Sequence, residues 1–244
     1  MYLKLFFLVI SIIPISSDFY SFYKKTTAVI DMEDVYYLNK KYSENELYYF
    51  YKVAFRENSY DFGLLKWEKN ELSLYCNGSD FEINIVKNII SEFNSKFEKI
   101  IKFNLTNNKD IADVNIFFPK KSSLINSSFV RKHKLGVTIP TNQLYTNMLK
   151  KVDIFIKTKD MNKLRMKNIV KHELMHSLGF KGHTYNLPFD NTILGGTNYK
   201  NNQINEFDYK ALEILYDNRI DVYISKKKFH NKFIRNKIFQ FDVY

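Results

Sequence analysis

The run His172-Glu173-Leu174-Met175-His176, followed beyond Gly179 by His183, holds the residue types of a metal centre at the spacing such a centre needs. Side chains at i and i+4 leave a helix from one face, so both imidazoles can reach a single Zn²⁺. The carboxylate between them can act on a water at the ion. Gly179 can end the helix and turn the chain back across it, which makes His183 the candidate third ligand. The chain has only 5 histidines, and three fall within these twelve positions. The chemistry this arrangement suits is hydrolysis: His172, His176 and His183 hold zinc and leave one position open, and Glu173 takes a proton from water as the water attacks a polarised carbonyl. Asp190 and Glu206 stand downstream as alternative third ligands, and Tyr185 or Tyr199 as alternative aids to the oxyanion.

The elements that must carry these residues can be read from hydrophobic spacing. Leu164, Ile169, Val170, Leu174 and Leu178 recur at helical intervals, so the motif is expected on a buried amphipathic helix with its histidines on a separate stripe. Short apolar or alternating runs at 72–76, 101–105, 113–118, 136–139 and 152–156 read as strands of one sheet. Pro140 places its strand at a sheet edge, where an extended peptide could pair. Asn77-Gly78-Ser79-Asp80 reads as a turn and cap before a long amphipathic helix over 81–101, and Ser43 to Glu46 has capping-box spacing ahead of 47–55. A final helix is expected over 206–216, with Phe207, Ala211, Leu212, Ile214 and Leu215 on its apolar side.

In this order the parts resemble the metzincin clan of zinc peptidases, and within it the matrixin layout, over roughly residues 67 to 220. Ala112-Asp113-Val114-Asn115-Ile116-Phe117-Phe118 is similar to the matrixin strand of the form A-D-I-x-I-x-F, and Phe207 to Tyr216 is similar to the closing helix of that family. The resemblance implies an α+β, zincin/metzincin-like fold: a mixed twisted sheet with a long helix, the active-site HExxH helix and a closing C-terminal helix. It also implies a zinc metalloendopeptidase acting on protein or peptide substrates. Two positions depart from the family pattern. The third histidine lies 183 − 172 = 11 residues after the first rather than ten, an offset that Gly182 is expected to absorb, and no Met follows Met175. In Asp190 to Gly196, which resembles the turn beneath the metal, Leu194 stands where the family has Met. These departures motivate a second reading, a secreted zincin-like binding protein without turnover, against which the retained Glu173 argues.

The remaining sequence sets the boundaries. Lys4 and the apolar run from Leu5 to Ile15, closing on Ser16 and Ser17, read as a secretory signal over 1–17, because a membrane span needs about twenty apolar residues. Residues 18–61 form an N-terminal extension or pro-region, 62–222 the catalytic domain and 223–244 a basic tail. Export places the protein in the periplasm or outside the cell. Cys76 is the only cysteine, so an internal disulfide is excluded, and a core thiol is expected. The formal net charge is +11, much of it in the tail at Lys226, Lys227, Lys228, Lys232, Arg235 and Lys237. Such a run reads as a solvated extension able to touch anionic surfaces weakly. No nucleic-acid module is visible, and a monomer is expected.

Overall fold

Alternating apolar residues build the sheet on which the site rests. The computed structural model describes residues 30–56, 63–119, 135–142, 146–158, 161–185, 188–195 and 203–235; the expected signal at 1–17 and Tyr199 lie outside them. Among the described residues five strands form one mixed sheet: β1 (Glu71–Asn77), β2 (Lys102–Leu105), β3 (Val114–Phe117), β4 (Gly136–Asn142) and β5 (Leu149–Ile156), in the order β2-β1-β3-β5-β4. The first four of that order run parallel, and β4 pairs antiparallel with β5, Pro140 opposite Val152. Pro140 therefore sits in an edge strand, where its missing N–H costs no ladder bond. Leu72, Leu74, Val114, Ile116, Val152, Ile154 and Ile156 turn inward and are fully buried.

Six α-helices accompany the sheet among the described residues: α1 (Met32–Lys41), α2 (Glu44–Ala54), α3 (Asp80–Phe97), α4 (Lys163–Ser177), α5 (Glu206–Tyr216) and α6 (Lys226–Phe229). The capping box expected at Ser43 forms, and boxes also form at Ser79 and at Asn205. The Glu46 carboxylate accepts from the N–H and hydroxyl of Ser43 at 2.6 and 2.8 Å, and Glu82 does the same for Ser79 at 2.7 and 2.9 Å. The α3 helix crosses from β1 to β2 and packs beside α4, which lies on β4 and β5. Lys171 on α4 is bound to Glu92 on α3 at 2.6 Å.

Two regions differ from expectation. Residues 32–41 are helical although only Leu38 is buried within the helix. The basic segment from 226 is not a free extension: α6 runs on into a wider turn, His230–Ile234, and Phe229 and Phe233 are buried, with Phe229 ringed by Phe50, Tyr51 and Phe55 at 5.2 to 6.4 Å. Lys227 and Lys232 stay exposed and Lys226 donates to the Arg56 carbonyl, while the aromatic rings anchor the segment, each buried ring contributing roughly 1.5–3 kcal/mol. Among the described residues no helix is long and apolar enough to cross a membrane.

Candidate metal centre

The centre is built from the end of α4. The Asn162 side chain caps the helix by accepting from the Arg165 N–H at 2.8 Å. At the other end, carbonyls left without helical partners are taken up by distant side chains: the Trp67 indole donates to Ser177 O at 2.9 Å and the Tyr216 hydroxyl to Leu178 O at 3.1 Å. Gly179 follows with φ of 118°, and a Cβ there would overlap the Leu65 carbonyl, so the turn requires glycine both for its dihedral and for its space. Gly182 is needed for a different reason from the one its sequence position suggests. Its place in the loop leaves no room for a Cβ, which would overlap the carbonyls of Lys52 and Phe55 at the end of α2.

This path brings three imidazoles together. The Nε2 atoms of His172 and His176 are 3.1 Å apart, and His183 Nε2 stands 3.0 Å from each. Zinc–nitrogen bonds are about 2.0–2.1 Å, so nitrogens this close can share one ion. The outer ring nitrogens define the tautomers. His172 Nδ1 donates to Ile193 O at 2.9 Å and His176 Nδ1 to Phe180 O at 2.8 Å, which leaves both Nε2 atoms as lone pairs. With both rings neutral, as ligands are, His172 and His176 face each other lone pair to lone pair. That contact is repulsive without a cation, so the donor set fits Zn²⁺. Burial first, and then repulsion from His176 whenever that ring is protonated, pushes the His172 pKa down to about 3, which keeps His172 neutral as a ligand must be.

Glu173, 6% exposed, lines the same cleft, a cavity of about 730 Å³ that also includes Arg165, Lys181 and Tyr185. Its carboxylate lies against the edge strand. The Thr138 hydroxyl donates to Oε2 at 2.6 Å, and a Cβ on Gly136 would stand 2.6 Å from Oε1. The missing side chain at 136 is what lets β4 approach so closely. The edge position of Gly136 to Pro140 follows from Pro140, but the pairing of Thr138 with Glu173 does not follow from the sequence. A hydroxyl at that point carries no spacing signal relative to the motif.

A second chain of bonds supports His172 from below. The N–H of Ile193, whose carbonyl receives His172, donates to the Asp208 carboxylate at 3.1 and 3.3 Å. Asp208 is fully buried on α5 and also accepts from Tyr49 Oη at 2.8 Å and the Asn205 N–H at 3.1 Å. Burial pushes its pKa up to about 7, against the pull of those hydrogen bonds.

The other sequence candidates stand apart. Asp190 and Glu206 are exposed and do not belong to the three-histidine cluster. Tyr185 is 56% exposed with its ring stacked 6.3 Å from that of His183. Leu194 is fully buried beside Ile193. Cys76 sits on β1 outside the cleft lining, its thiol held neutral by burial that raises its pKa to about 12. Compared with known proteins, the sequence matches no protein-family model and no curated protein. Among solved structures it is similar to the crystal structure of myroilysin, at 12% identity and a TM-score of 0.41, over 68% of this chain and 92% of that one.

Proposed function

We propose that this chain is a secreted, zinc-dependent endopeptidase in which His172, His176 and His183 hold the metal and Glu173 is the general base. The observation that carries the reading is the convergence of the Nε2 atoms of His172, His176 and His183, 3.0 to 3.1 Å from one another, with the Glu173 carboxylate in the same cleft. When bound, zinc polarises a carbonyl and draws the pKa of a water towards about 7.

The protein's own groups do the rest. Glu173 takes the water's proton and passes it to the leaving amine, the two proton transfers that amide hydrolysis needs. Thr138 holds one carboxylate oxygen and so fixes the orientation of the group that exchanges protons. Among the described residues no strand pairs with the side of β4 that faces away from β5, the side on which an extended substrate peptide would pair, and Gly136 keeps the approach to Glu173 narrow. Export belongs to the proposal through the Leu5–Ile15 run.

Glu173→Gln tests the reading. The change keeps the side chain's size and all three histidines, so zinc stays bound while proton removal is lost, and hydrolysis of a broad peptide library should fall at least about a hundredfold. Equal cleavage by the variant would assign the activity elsewhere. No cleavage by zinc-loaded wild-type protein would favour a binding role.

A further inference from the structure

The α2 helix lies in the segment that the sequence leaves open between an extension and a removable pro-region, yet it touches both loops that complete the centre. At its C-terminal end the Val53 carbonyl accepts from the N–H groups of Lys181 and Gly182, at 3.0 and 2.8 Å. These are the two residues before His183. The absent Cβ of Gly182 is what lets the loop lie against the carbonyls of Lys52 and Phe55. One turn earlier, the Tyr49 hydroxyl donates to Asp208, which holds the Ile193 peptide that receives His172. The Tyr49 ring also packs on Phe189, 5.2 Å between centroids, at the start of that same segment.

We propose that α2 is a working part of the metal centre: Val53 and Tyr49 act as positioning residues for His183 and His172, and residues 30–56 remain in the mature protein. The inference rests on the three-histidine metal reading. A segment that is to be cut away must leave a surface water can cover. Loss of α2 would strip cover from Phe189 and Asp208, both fully buried, and would leave the loop N–H groups of 181 and 182 without their acceptor. Tyr49, Phe50, Val53, Ala54 and Phe55 are themselves fully buried, as a packed layer of the core is.

The test uses the full chain and its zinc affinity by chelator competition, with the visible spectrum of the cobalt form as a second readout. Tyr49→Phe removes one oxygen and should weaken zinc about tenfold, and Gly182→Ala, which forces the loop off α2, between about tenfold and a hundredfold, the range for groups that orient ligands. The cobalt spectrum of Gly182→Ala should change as the third nitrogen shifts. Phe103→Leu, a core change on β2 at the edge opposite β4, is the control: it should lower the melting temperature without moving zinc affinity or the cobalt spectrum. If Gly182→Ala fails to fold, Tyr49→Phe still decides. Wild-type protein that binds zinc while Tyr49→Phe binds equally well would overturn this inference and leave the metal reading standing. An active form whose intact mass lacks residues 30–56 would overturn it as well. Wild-type protein that binds no zinc would remove the metal reading itself.

Discussion

His172 and His176 converge because they stand four apart on one helix, whereas His183 reaches the same point through a loop whose last N–H groups are bound by a helix far earlier in the chain. The first pair is set by local geometry that any stable helix supplies. The third ligand depends on tertiary packing: Gly179 turning the chain, Gly182 lying against α2, and Val53 accepting from the loop. A three-ligand centre can thus be half local and half global, and the halves should fail differently.

The largest effects are expected from removing one ligand from each half. His176→Ala takes a nitrogen from the rigid pair, and tight zinc binding should be abolished. His183→Ala should weaken binding by several orders of magnitude while α4 keeps its helicity, because nothing in the helix depends on that ring. Both are read by metal analysis after dialysis against a chelator. Unchanged affinity in His183→Ala would pass the third-ligand role to Asp190 or Glu206, although both side chains are exposed and outside the cluster.

The same division governs what could be read from the sequence. The motif and its helix were legible because a period of 3.6 and a two-histidine spacing are local signals, and the closing helix over 206–216 has the expected bounds. Strands were legible as short apolar runs, down to the edge position of Pro140, but their order and the antiparallel turn of β4 were not, since pairing is a long-range choice. Leu164 fits the apolar stripe by spacing yet is 59% exposed, and Met166 turns inward instead. Helix α1 is hard to read locally because its apolar stripe, Val35, Leu38 and Tyr42, is narrow among Tyr, Lys and Asn residues. The docked α6 segment was hidden by its own charge: Phe229 and Phe233 are spaced as helix anchors, but the surrounding lysines read as a tail. Asp208 was visible only as part of the closing-helix resemblance, and nothing local says that it supports Ile193.

That support qualifies the comparison, since it gives even helix-borne His172 a long-range brace. Asp208→Asn keeps the shape but exchanges an acceptor for a donor, and zinc affinity should fall about tenfold. Stability should carry a pH signature too. The folded carboxyl titrates at about 7 against an ordinary value of 3.8, so between these the unfolded chain has lost a proton that the folded chain keeps. Its contribution to stability therefore falls as pH rises from about 4 to about 7 and is level above that range. The melting temperature of the wild-type chain minus that of the Asn variant should shrink by several degrees across this interval. A difference that stays flat, or grows with pH, would show that the carboxylate is ionised in the folded protein and that hydrogen bonds from Tyr49 and Ile193 outweigh its burial.

The smallest effect on the centre is expected where the helix half is held most redundantly. Trp67→Phe removes the indole N–H that satisfies Ser177 O and leaves a buried carbonyl without that donor, a loss of about 1–3 kcal/mol in stability. The ligands should hardly notice. Tyr216 still takes Leu178 O, His176 is still fixed through Phe180 O, and α4 still pairs Lys171 with Glu92 on α3. Zinc affinity should therefore change by less than about threefold while the melting temperature drops by several degrees, at roughly 2–4 °C per kcal/mol for a chain of this size. A variant that loses zinc as steeply as Gly182→Ala would show that the end of α4 depends on a distant side chain just as the His183 loop depends on α2, and the distinction between a local and a global half would fall.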